Sequence, residues 1–310
     1  MDEKKTARIA VVGSCNVDLT VFTGVVPRGG ETVMGSEFQM SIGGKGTNQA
    51  TAACRAGGRV EMVSRVGDDG LSHVVLDHMD AEGICRANVI VTPSVSTGTA
   101  TIIVEEATGQ NRIVVAPGAN GRITPADAEG AADVIRGADV LLLQLEISVD
   151  ACLTAARIAK AAGVKVVLNP APACALPPEL LGLADFFTPN ETEAEFYTGI
   201  AIHTVEDAYA AGTRLLEMGV GCAVITLGKQ GAVLVDQTRR IHVPAMYVER
   251  PVDTTGAGDC FNGVLAVALA EGMEWDTALH MACTGASLAV QRKGAAVSCP
   301  TRAEIDEACK

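Results

Sequence analysis

The sequence has no apolar run long enough to span a membrane, and its N-terminus, MDEKKTAR, is polar and unlike a secretory leader. Basic residues are scarce, since 24 lysines and arginines face 37 aspartates and glutamates, for a net charge of −13. Binding to a phosphate backbone requires a basic surface, so this balance disfavours a nucleic-acid partner. Together these absences predict a cytoplasmic protein that binds neither membranes nor nucleic acid.

Metal-binding motifs are also absent. The chain has 10 cysteines and 5 histidines, but no C-x-x-C pair, no His/Cys cluster and no HExxH. This pattern predicts reduced thiols and no structural zinc. Cys54, Cys222 and Cys283 lie in apolar runs and are expected to be buried. Cys260 has two interpretations: it stands at a predicted helix N-terminus, where its thiolate would be favoured and open to modification, but packing in the core is the simpler expectation.

The common glycine-rich nucleotide motifs are incomplete. In GGKGTN, Lys45 is followed by Gly46, so it is not the lysine of a P-loop. In VDTTGAGDCFNG, Phe261 stands where a dinucleotide fingerprint has its third glycine, which disfavours a dinucleotide-dependent oxidoreductase.

Short apolar strands and helix-period segments alternate along a chain that can bury one large core, or a core with a small appendage. This alternation predicts an α/β fold, a three-layer sandwich whose central sheet is mostly parallel and covered by helices on both faces. The predicted strands are RIAVV, VEMVSRVG, VLLLQLE, VKVVLNP, DFFTPN and CAVITLG. The predicted helices span 48–56, 72–82, 125–135, 149–162, 191–197, 205–218 and 264–270.

Two stretches, 18–43 and about 96–117, break the alternation. They contain β-type runs such as LTVFTGVV and GTATIIVEE, separated by turns and without helices. We expect them to form a small antiparallel β-sheet at the ligand edge of the main sheet, placed to act as a lid. The apolar face of such a sheet needs cover from the ligand site or from a second subunit.

Polar residues follow several predicted strands. Any one of them is most simply a cap or turn residue. Their shared position matters, however, because ligands of parallel sheets bind at the carboxyl ends of the strands. These residues are Asn16, Asp18, Glu146, Asn169, Asn190, Glu193, Thr226 and Gly228.

The stretch VDTTGAGDCFNG, at 252–263, precedes an apolar helix. A helix N-terminus presents unpaired N–H groups and a positive dipole end, and Gly256 and Gly258 would leave those groups uncovered. Asp259 alone would be a helix-capping acid. In this setting the sequence predicts a phosphate site beside a carboxylate.

The motifs, in chain order, resemble those of the ribokinase-like sugar kinase family over nearly all of residues 1–310. The most specific are IGGKGTNQATAA and VDTTGAGDCFNG, and GSCNVDLTV, LLLQLE, TPNETEAE and ITLGKQGA also correspond. The resemblance implies one kinase domain that uses ATP to phosphorylate a sugar hydroxyl, for ribokinases O5 of D-ribose, giving D-ribose 5-phosphate and ADP. Deoxyribose, a nucleoside or another sugar remains open as acceptor, and so does a catalytically silent sensor. Family members often form homodimers through the lid.

The same resemblance assigns residues to the reaction. It implies that Asp259 is the catalytic base and that Gly256, Ala257 and Gly258 form an anion hole. The implied sugar-binding residues are Asn16, Asp18, Gly43, Gly44, Lys45, Asn48, Glu146 and Asp259.

The implied nucleotide-binding residues are Asn190, Thr226, Gly228, Lys229, Gly231, Gly258 and Cys283. Lys229 is equally consistent with a surface charge. Cys283 departs from relatives, which carry a polar residue here, so the sequence leaves nucleobase selectivity open. Glu193 is implied to hold Mg²⁺ through water. A K⁺ site is implied at Asp253, Thr255, Ala289, Arg292, Gly294 and Ser298, partly through backbone carbonyls.

Overall fold

A computed structural model describes residues 6–310. The strands in this range are β1 (Arg8–Val12), β2 (Asn16–Thr23), β3 (Glu37–Gly43), β4 (Arg59–Gly67), β5 (Cys85–Thr92), β6 (Gly98–Glu105), β7 (Asn111–Ala116), β8 (Val140–Leu143), β9 (Lys165–Leu168), β10 (Phe186–Phe187), β11 (Ala223–Thr226), β12 (Ala232–Val235) and β13 (Arg240–Val243). The α-helices are α1 (Lys45–Arg55), α2 (Gly70–Glu82), α3 (Pro125–Gly130), α4 (Ala132–Gly137), α5 (Val149–Ala161), α6 (Pro178–Leu183), α7 (Glu191–Thr198), α8 (Val205–Glu217), α9 (Ala257–Ala270), α10 (Trp275–Ala289) and α11 (Arg302–Ala308).

Nine strands form the central sheet, in the order β13-β12-β11-β10-β9-β8-β1-β4-β5. The strands from β11 to β5 pair in parallel, while β12 and β13 add antiparallel pairings at one edge. Side chains alternate between faces, so Val11 joins one core and Val12 joins the other. Helices α1, α2 and α9–α11 contribute to the first core, and α3–α8 contribute to the second. The predicted three-layer sandwich with a mostly parallel sheet is confirmed.

Several helices differ from their predicted bounds. The predicted helix at 125–135 is two helices, α3 and α4, because the backbone leaves the helical conformation at Ala131. Helix α9 begins at Ala257, seven residues before the start predicted from the apolar run at 264–270. Asp259 therefore lies in the first turn of this helix. Helices α6, α10 and α11 were not predicted. Among the helices within residues 6–310, none is both long and apolar enough to cross a bilayer.

A second sheet has four strands in the order β3-β2-β6-β7. The pairs β2–β3 and β6–β7 are antiparallel, as predicted for a small antiparallel sheet. The central pair β2–β6 is parallel. These two strands come from the two separate segments that form the small sheet, so no hairpin joins them directly. Strand β2 begins at Asn16, two residues before the predicted start of the first segment at residue 18. Asn16 therefore lies where the chain passes from the main sheet to the small sheet.

All 10 cysteines are free. Cys222 and Cys283 are buried as predicted, whereas Cys54 is only partly buried. Of the two interpretations of Cys260, packing in the core is confirmed and a favoured thiolate is wrong. Its side chain is fully buried, and contact with Cys299, together with that burial, raises the pKa of Cys260 well above its ordinary value.

Candidate active site

A pocket of about 160 Å³ lies at the carboxyl ends of the central strands, beside the N-terminus of α9. It brings together residues that the sequence predicts from four separate motifs: Lys45, Asn190, Glu193, Thr226, Gly256, Ala257, Gly258 and Asp259. A larger cavity, of about 350 Å³, lies at the amino ends of β1 and β4, near Arg8 and Arg59. It contains no predicted site residue and shows no convergence of the motifs, so the smaller pocket is the candidate active site.

Asp259 is the most buried carboxylate of this pocket, with 6% of its surface exposed. Its Oδ2 accepts a hydrogen bond from Asn48 Nδ2 at 2.9 Å, and its Oδ1 accepts one from Gln49 Nε2 at 3.1 Å. Both donors are neutral amides on α1. They fix the carboxylate without an ion pair and leave further lone pairs free to accept a proton.

The N-terminus of α9 faces the same pocket. Gly256 caps the helix with φ of 73°, a left-handed conformation suited to glycine, and a Cβ there would lie 2.8 Å from Ala295. A Cβ on Gly258 would meet nothing within 4 Å, so that residue borders open space. Within residues 6–310 the N–H groups of Gly258 and Asp259 have no protein acceptor, while the Ala257 N–H lies 3.3 Å from the Thr254 carbonyl oxygen. These free donors suit an anion.

The sugar-side residues predicted from the first strand lie where β2 leaves the main sheet. Asn16 is 4% exposed and its Oδ1 accepts from Asn120 Nδ2 at 2.7 Å. Glu146 Oε2 accepts from the Ser14 hydroxyl and, at 3.0 Å, from the Lys45 backbone N–H. Glu146 therefore caps the N-terminus of α1 from a distant strand end, a favourable place for a carboxylate.

Asp18 shares this corner with two other carboxylates. Its burial, followed by the negative charges of Glu146 and Asp259, raises the pKa of Asp18 to about 6. Asp18 and Asn16 occupy space that side chains at residues 43 and 44 would fill, so both positions require glycine. A Cβ on Gly43 would lie 2.1 Å from Asp18 Oδ1, and one on Gly44, where φ is 85°, would lie 2.7 Å from the Asn16 nitrogen.

Lys45 is a half-buried cation among these acids. The negative charge of Asp259 is the largest cause that raises the pKa of Lys45, and Glu146 and Glu193 add to it against the opposing effect of burial. A surface lysine is thus excluded, and Lys45 carries the positive charge of the pocket. That charge is available to a phosphate or to sugar hydroxyls.

Asn190 and Thr226, two of the predicted nucleotide residues, line the opposite wall. Asn190 bridges to Thr226 across the strand ends and caps α7 by accepting from the Glu193 N–H at 2.8 Å. Glu193 Oε2 accepts from the Asn190 N–H at 2.9 Å, and burial is the largest cause that raises the pKa of Glu193. Gly228 and Gly231 both have positive φ in the turn after β11.

Four predicted nucleotide residues lie apart from the pocket lining: Gly228, Lys229, Gly231 and Cys283. Lys229 is exposed, in agreement with the alternative of a surface charge. Cys283 is buried on α10, where its Sγ lies 3.9 Å from the Val243 carbonyl oxygen at the end of β13. A Cβ on Gly231 would lie 2.0 Å from that same carbonyl oxygen, so Gly231 and Cys283 flank one segment of chain.

The residues predicted to hold K⁺ lie behind the α9 N-terminus. Asp253 Oδ1 accepts from the Thr255 N–H, and its Oδ2 accepts from the Gly294 N–H, each at 2.9 Å. Although burial raises the pKa of Asp253, its hydrogen bonds with Thr255 and Gly294 lower it overall. The Arg292 guanidinium binds Glu304 instead, so only the backbone of Arg292 is available to this site.

Ala289 and Ser298 complete the predicted K⁺ set, and both are engaged within the protein. The Ala289 carbonyl oxygen accepts from the Arg292 N–H at 3.0 Å, and Ser298 Oγ donates to the Ala295 carbonyl at 2.8 Å. In the described part of the chain no three His, Cys, Asp or Glu side chains group as metal ligands. A cation here would therefore depend on backbone oxygens and one carboxylate.

Sequence reasoning missed a layer of buried amides beneath the pocket. Asn169 was noted only as a polar strand end, and Asn120, Gln49 and Gln144 were not singled out. Gln49 is adjacent to Asn48, and Gln144 lies in LLLQLE, so an amide inside a predicted core segment was the available signal.

Comparison with known proteins finds similarity over nearly the whole chain. The profile of the pfkB family carbohydrate kinases matches residues 6–302. A ribokinase of Bacillus subtilis (strain 168) is 41% identical over 96% of this chain and 98% of its own length. A deoxyribokinase of Salmonella typhi is 36% identical over 96% and 97%. A solved structure of Arabidopsis thaliana ribokinase complexed with ribose and ATP aligns with a TM-score of 0.94 at 33% identity, covering 99% of each chain.

These matches extend over almost the whole length of the chain. The protein belongs to the pfkB family of carbohydrate kinases.

Proposed function

We propose that this enzyme transfers the γ-phosphoryl group of ATP to O5 of D-ribose, giving D-ribose 5-phosphate and ADP. The observation that carries the proposal is the position of Asp259, a buried carboxylate in the first helical turn beside the free N–H of Gly258. The similar ribokinases, and the Arabidopsis thaliana ribokinase structure complexed with ribose and ATP, support this choice of acceptor and donor.

The chemistry assigned to the pocket is general-base-assisted phosphoryl transfer. Asp259 accepts the proton of the attacking hydroxyl, which prevents a positive charge from developing on that oxygen. The N–H groups at Gly256–Gly258 and the ammonium group of Lys45 stabilise the charge on the phosphoryl oxygens in the transition state. Since Ala257 also contacts the Thr254 carbonyl, Gly258 is the principal donor of this anion hole.

Asn16, Asp18, Gly43, Gly44, Asn48 and Glu146 are proposed to hold the sugar. Asn48 Oδ1 is buried and has no hydrogen-bond partner within the described residues. A sugar hydroxyl that donates to this oxygen would satisfy it, whereas a ligand without that hydroxyl would leave it unpaired, at a cost of roughly 1–3 kcal/mol.

The nucleotide is proposed to lie along Asn190, Thr226, Gly228, Lys229 and Gly231, with its terminal phosphates at Gly258. Cys283 is proposed to border the base. Because burial raises the pKa of Cys283 to about 12, it meets the base as a neutral, polarisable thiol that packs on the ring.

Glu193 fits a magnesium ion bound through water. It is a half-buried carboxylate in the pocket lining, and Mg²⁺ prefers few carboxylates and several waters. The ion would neutralise phosphate charge when bound. The set around Asp253 consists only of oxygen donors with one carboxylate, which fits K⁺ better than zinc or copper. Its role is to order the loop behind the anion hole.

The four-stranded sheet, formed by residues within 18–43 and 96–117 and extending back to Asn16, is proposed to be the lid and the dimer interface. Its strands expose apolar side chains on both faces, including Phe38 and Val114 on one face and Val115 on the other. A second copy of the chain would cover this surface. Ten free cysteines, of which Cys85 is exposed, support a cytoplasmic location, where thiols stay reduced.

The experiment that tests the proposed function is an ADP-release assay over ribose, deoxyribose, fructose and nucleosides, run in potassium and then in sodium. Ribose should give the highest kcat/KM, and its product should be identified as the 5-phosphate. Higher kcat/KM with deoxyribose would select the alternative that the 36% identical deoxyribokinase supports. Absence of sugar-dependent ADP release with all of them would indicate a binding protein that has lost activity.

A further inference from the structure

We propose that Gln49 and Gln144 are positioning residues that aim the carboxylate of Asp259 at the acceptor hydroxyl. The proposal rests on the proposed function for its kinetic consequences, but its structural content is independent of the sugar. It concerns a chain of buried amides that begins at the end of β9 and ends at the carboxylate.

Gln49 uses both of its N–H donors and its oxygen in this chain. Its Nε2 donates to Asp259 Oδ1 and to Asn169 Oδ1, each at 3.1 Å, and its Oε1 accepts from Gln144 Nε2 at 2.8 Å. Gln49 and Gln144 are fully buried, and Asn169 is 6% exposed. Water therefore cannot replace these bonds without opening the core.

The direction of every bond in the chain follows from one fixed acceptor. The Thr188 backbone carbonyl can only accept, so Asn169 must point Nδ2 at it, as it does at 2.9 Å. Asn169 Oδ1 then faces Gln49 and can only accept, so Gln49 must present its amide nitrogen there. Turning the Gln49 amide over would set its oxygen against the oxygens of Asn169 and Asp259.

Gln144 completes the arrangement from the other side. Its nitrogen holds the Gln49 oxygen, and its own oxygen lies in the space left by Gly13, where a Cβ would come within 2.1 Å of it. That oxygen is buried without a partner in the described part of the protein. A protein seldom buries an unpaired amide oxygen, so the bond that Gln144 makes to Gln49 has a value beyond local stability.

Close packing between α1 and α9 fixes the donor relative to the carboxylate. A Cβ on Gly263 would lie 2.6 Å from the Gln49 carbonyl oxygen and 2.5 Å from the Ala52 Cβ. The backbone of Gln49 thus sits against the helix that carries Asp259. With the backbone fixed by packing and the side chain fixed by Asn169 and Gln144, one rotamer of Asp259 is selected.

The test uses the full-length protein and variants of nearly equal shape. Gln49→Met should lower kcat for ribose about 10- to 100-fold, the usual consequence of a small misplacement of a catalytic group, while the KM values of ribose and ATP change less than about twofold. Gln144→Met should lower kcat less, because it acts through Gln49. The double variant should fall no further than Gln49→Met alone.

Thr51→Val is the matched control. Thr51 is fully buried on the same helix and donates to the Thr47 carbonyl at 2.9 Å, but the structure gives it no contact with Asp259. It should lose melting temperature as the glutamine variants do, yet keep its kcat within about twofold. An equal fall in kcat for Thr51→Val and Gln49→Met would overturn the proposal, and so would a full multiplicative loss in the double variant.

Crystal structures of Gln49→Met and Thr51→Val separate this proposal from the proposed function. We expect the Asp259 carboxylate to change rotamer or to become disordered only in Gln49→Met. An unmoved carboxylate in Gln49→Met would refute the positioning role, whichever sugar the enzyme uses. Failure of the wild type to phosphorylate ribose would refute the proposed acceptor, and the crystal structures would still decide the role of Gln49.

Discussion

Gly43 lies diagonally across from Asp18 on strands β2 and β3, and a Cβ on Gly43 would lie 2.1 Å from Asp18 Oδ1. That distance is too short for any two nonbonded atoms, so the carboxylate occupies the space that a side chain at residue 43 would need. A glycine in the GGKGTN motif therefore shapes the proposed sugar site directly.

We predict that Gly43→Ala displaces Asp18 and lowers kcat/KM for ribose about 10- to 100-fold, in line with the sensitivity of rates to misplacement of a binding group. The KM for ATP should stay near its wild-type value, since Asp18 does not line the pocket that Thr226 and Asn190 line. Gly24→Ala is the control, because a Cβ there meets nothing within 4 Å. If both variants reduce kcat/KM equally, the effect belongs to the small sheet as a whole.

The second prediction concerns the contribution of Asp18 to the pH dependence of folding stability. Its folded-state pKa, about 6, lies above its ordinary value of 3.8, so the folded protein binds this proton more tightly than the unfolded chain. The destabilising contribution of the charged group is absent below about pH 4, develops as the pH rises, and is complete above about pH 6. Asp18→Asn should therefore raise the melting temperature of the ligand-free protein by a few degrees near neutral pH and leave it unchanged near pH 4.

The control for that measurement is Asp133→Asn. Asp133 is fully exposed and forms only a surface pair with Arg136, so its removal should alter the melting temperature little at either pH. A stabilisation by Asp18→Asn that is the same at both pH values would show that it comes from packing rather than from charge.

The third prediction concerns Asp259, the proposed catalytic base. Asp259→Asn should lower kcat by roughly two to four orders of magnitude, because a neutral amide cannot accept the hydroxyl proton. Calorimetric binding of ATP should persist, since the N–H groups of the α9 N-terminus remain. Asp276→Asn removes an exposed acid from the first turn of α10 and controls for the loss of a favourable dipole interaction. Near-normal turnover of Asp259→Asn would contradict the assignment of the base.

Much of the architecture follows from the sequence for a simple reason. Buried parallel strands read as continuous apolar runs, and the polar residues that end them must meet at one edge of the sheet. This is why Asn190, Glu193 and Thr226 could be placed in one site before any coordinates were known. The anion site at Gly256–Asp259 follows likewise from glycines directly before an apolar helix.

The features that the sequence did not predict depend on contacts between residues far apart in the chain, which leave no pattern in the local sequence. Gln49 meets Asn169 and Gln144 at separations of 120 and 95 residues, and an amide carries no charge pattern that would mark it in advance. The parallel pairing of β2 with β6 also depends on how two segments far apart in the sequence come together in the small sheet. Cys260 shows the opposite error, since a helix N-terminus favours a thiolate only where the side chain faces solvent or ligand.

The fourth prediction tests the proposed K⁺ site. Asp253→Ala removes the acceptors of the Thr255 and Gly294 N–H groups and should loosen the two loops behind the anion hole. The K⁺ concentration that gives half-maximal kcat should rise about 10- to 100-fold, a range typical for losing a group that orders a metal site. Gln291→Ala, an exposed neutral position in the same loop, is the control. A wild-type enzyme with equal kcat in potassium, sodium and lithium would exclude the site.

The last prediction concerns the small sheet as a dimer interface. Phe38 and Val114 lie on the same face, because Phe38 pairs with Val21, Val114 pairs with Thr101, and Thr101 pairs with Leu19. Their exposed fractions are 61% and 70%, which is unfavourable for a monomer in water.

Light scattering should give twice the chain mass of 31.9 kDa for the wild type and a single chain mass for the double variant Phe38→Asp, Val114→Asp. Phe196→Asp carries the same change to an exposed aromatic on α7 and should remain dimeric. A wild-type protein that stays monomeric at all concentrations would contradict the proposal that a second copy covers this face.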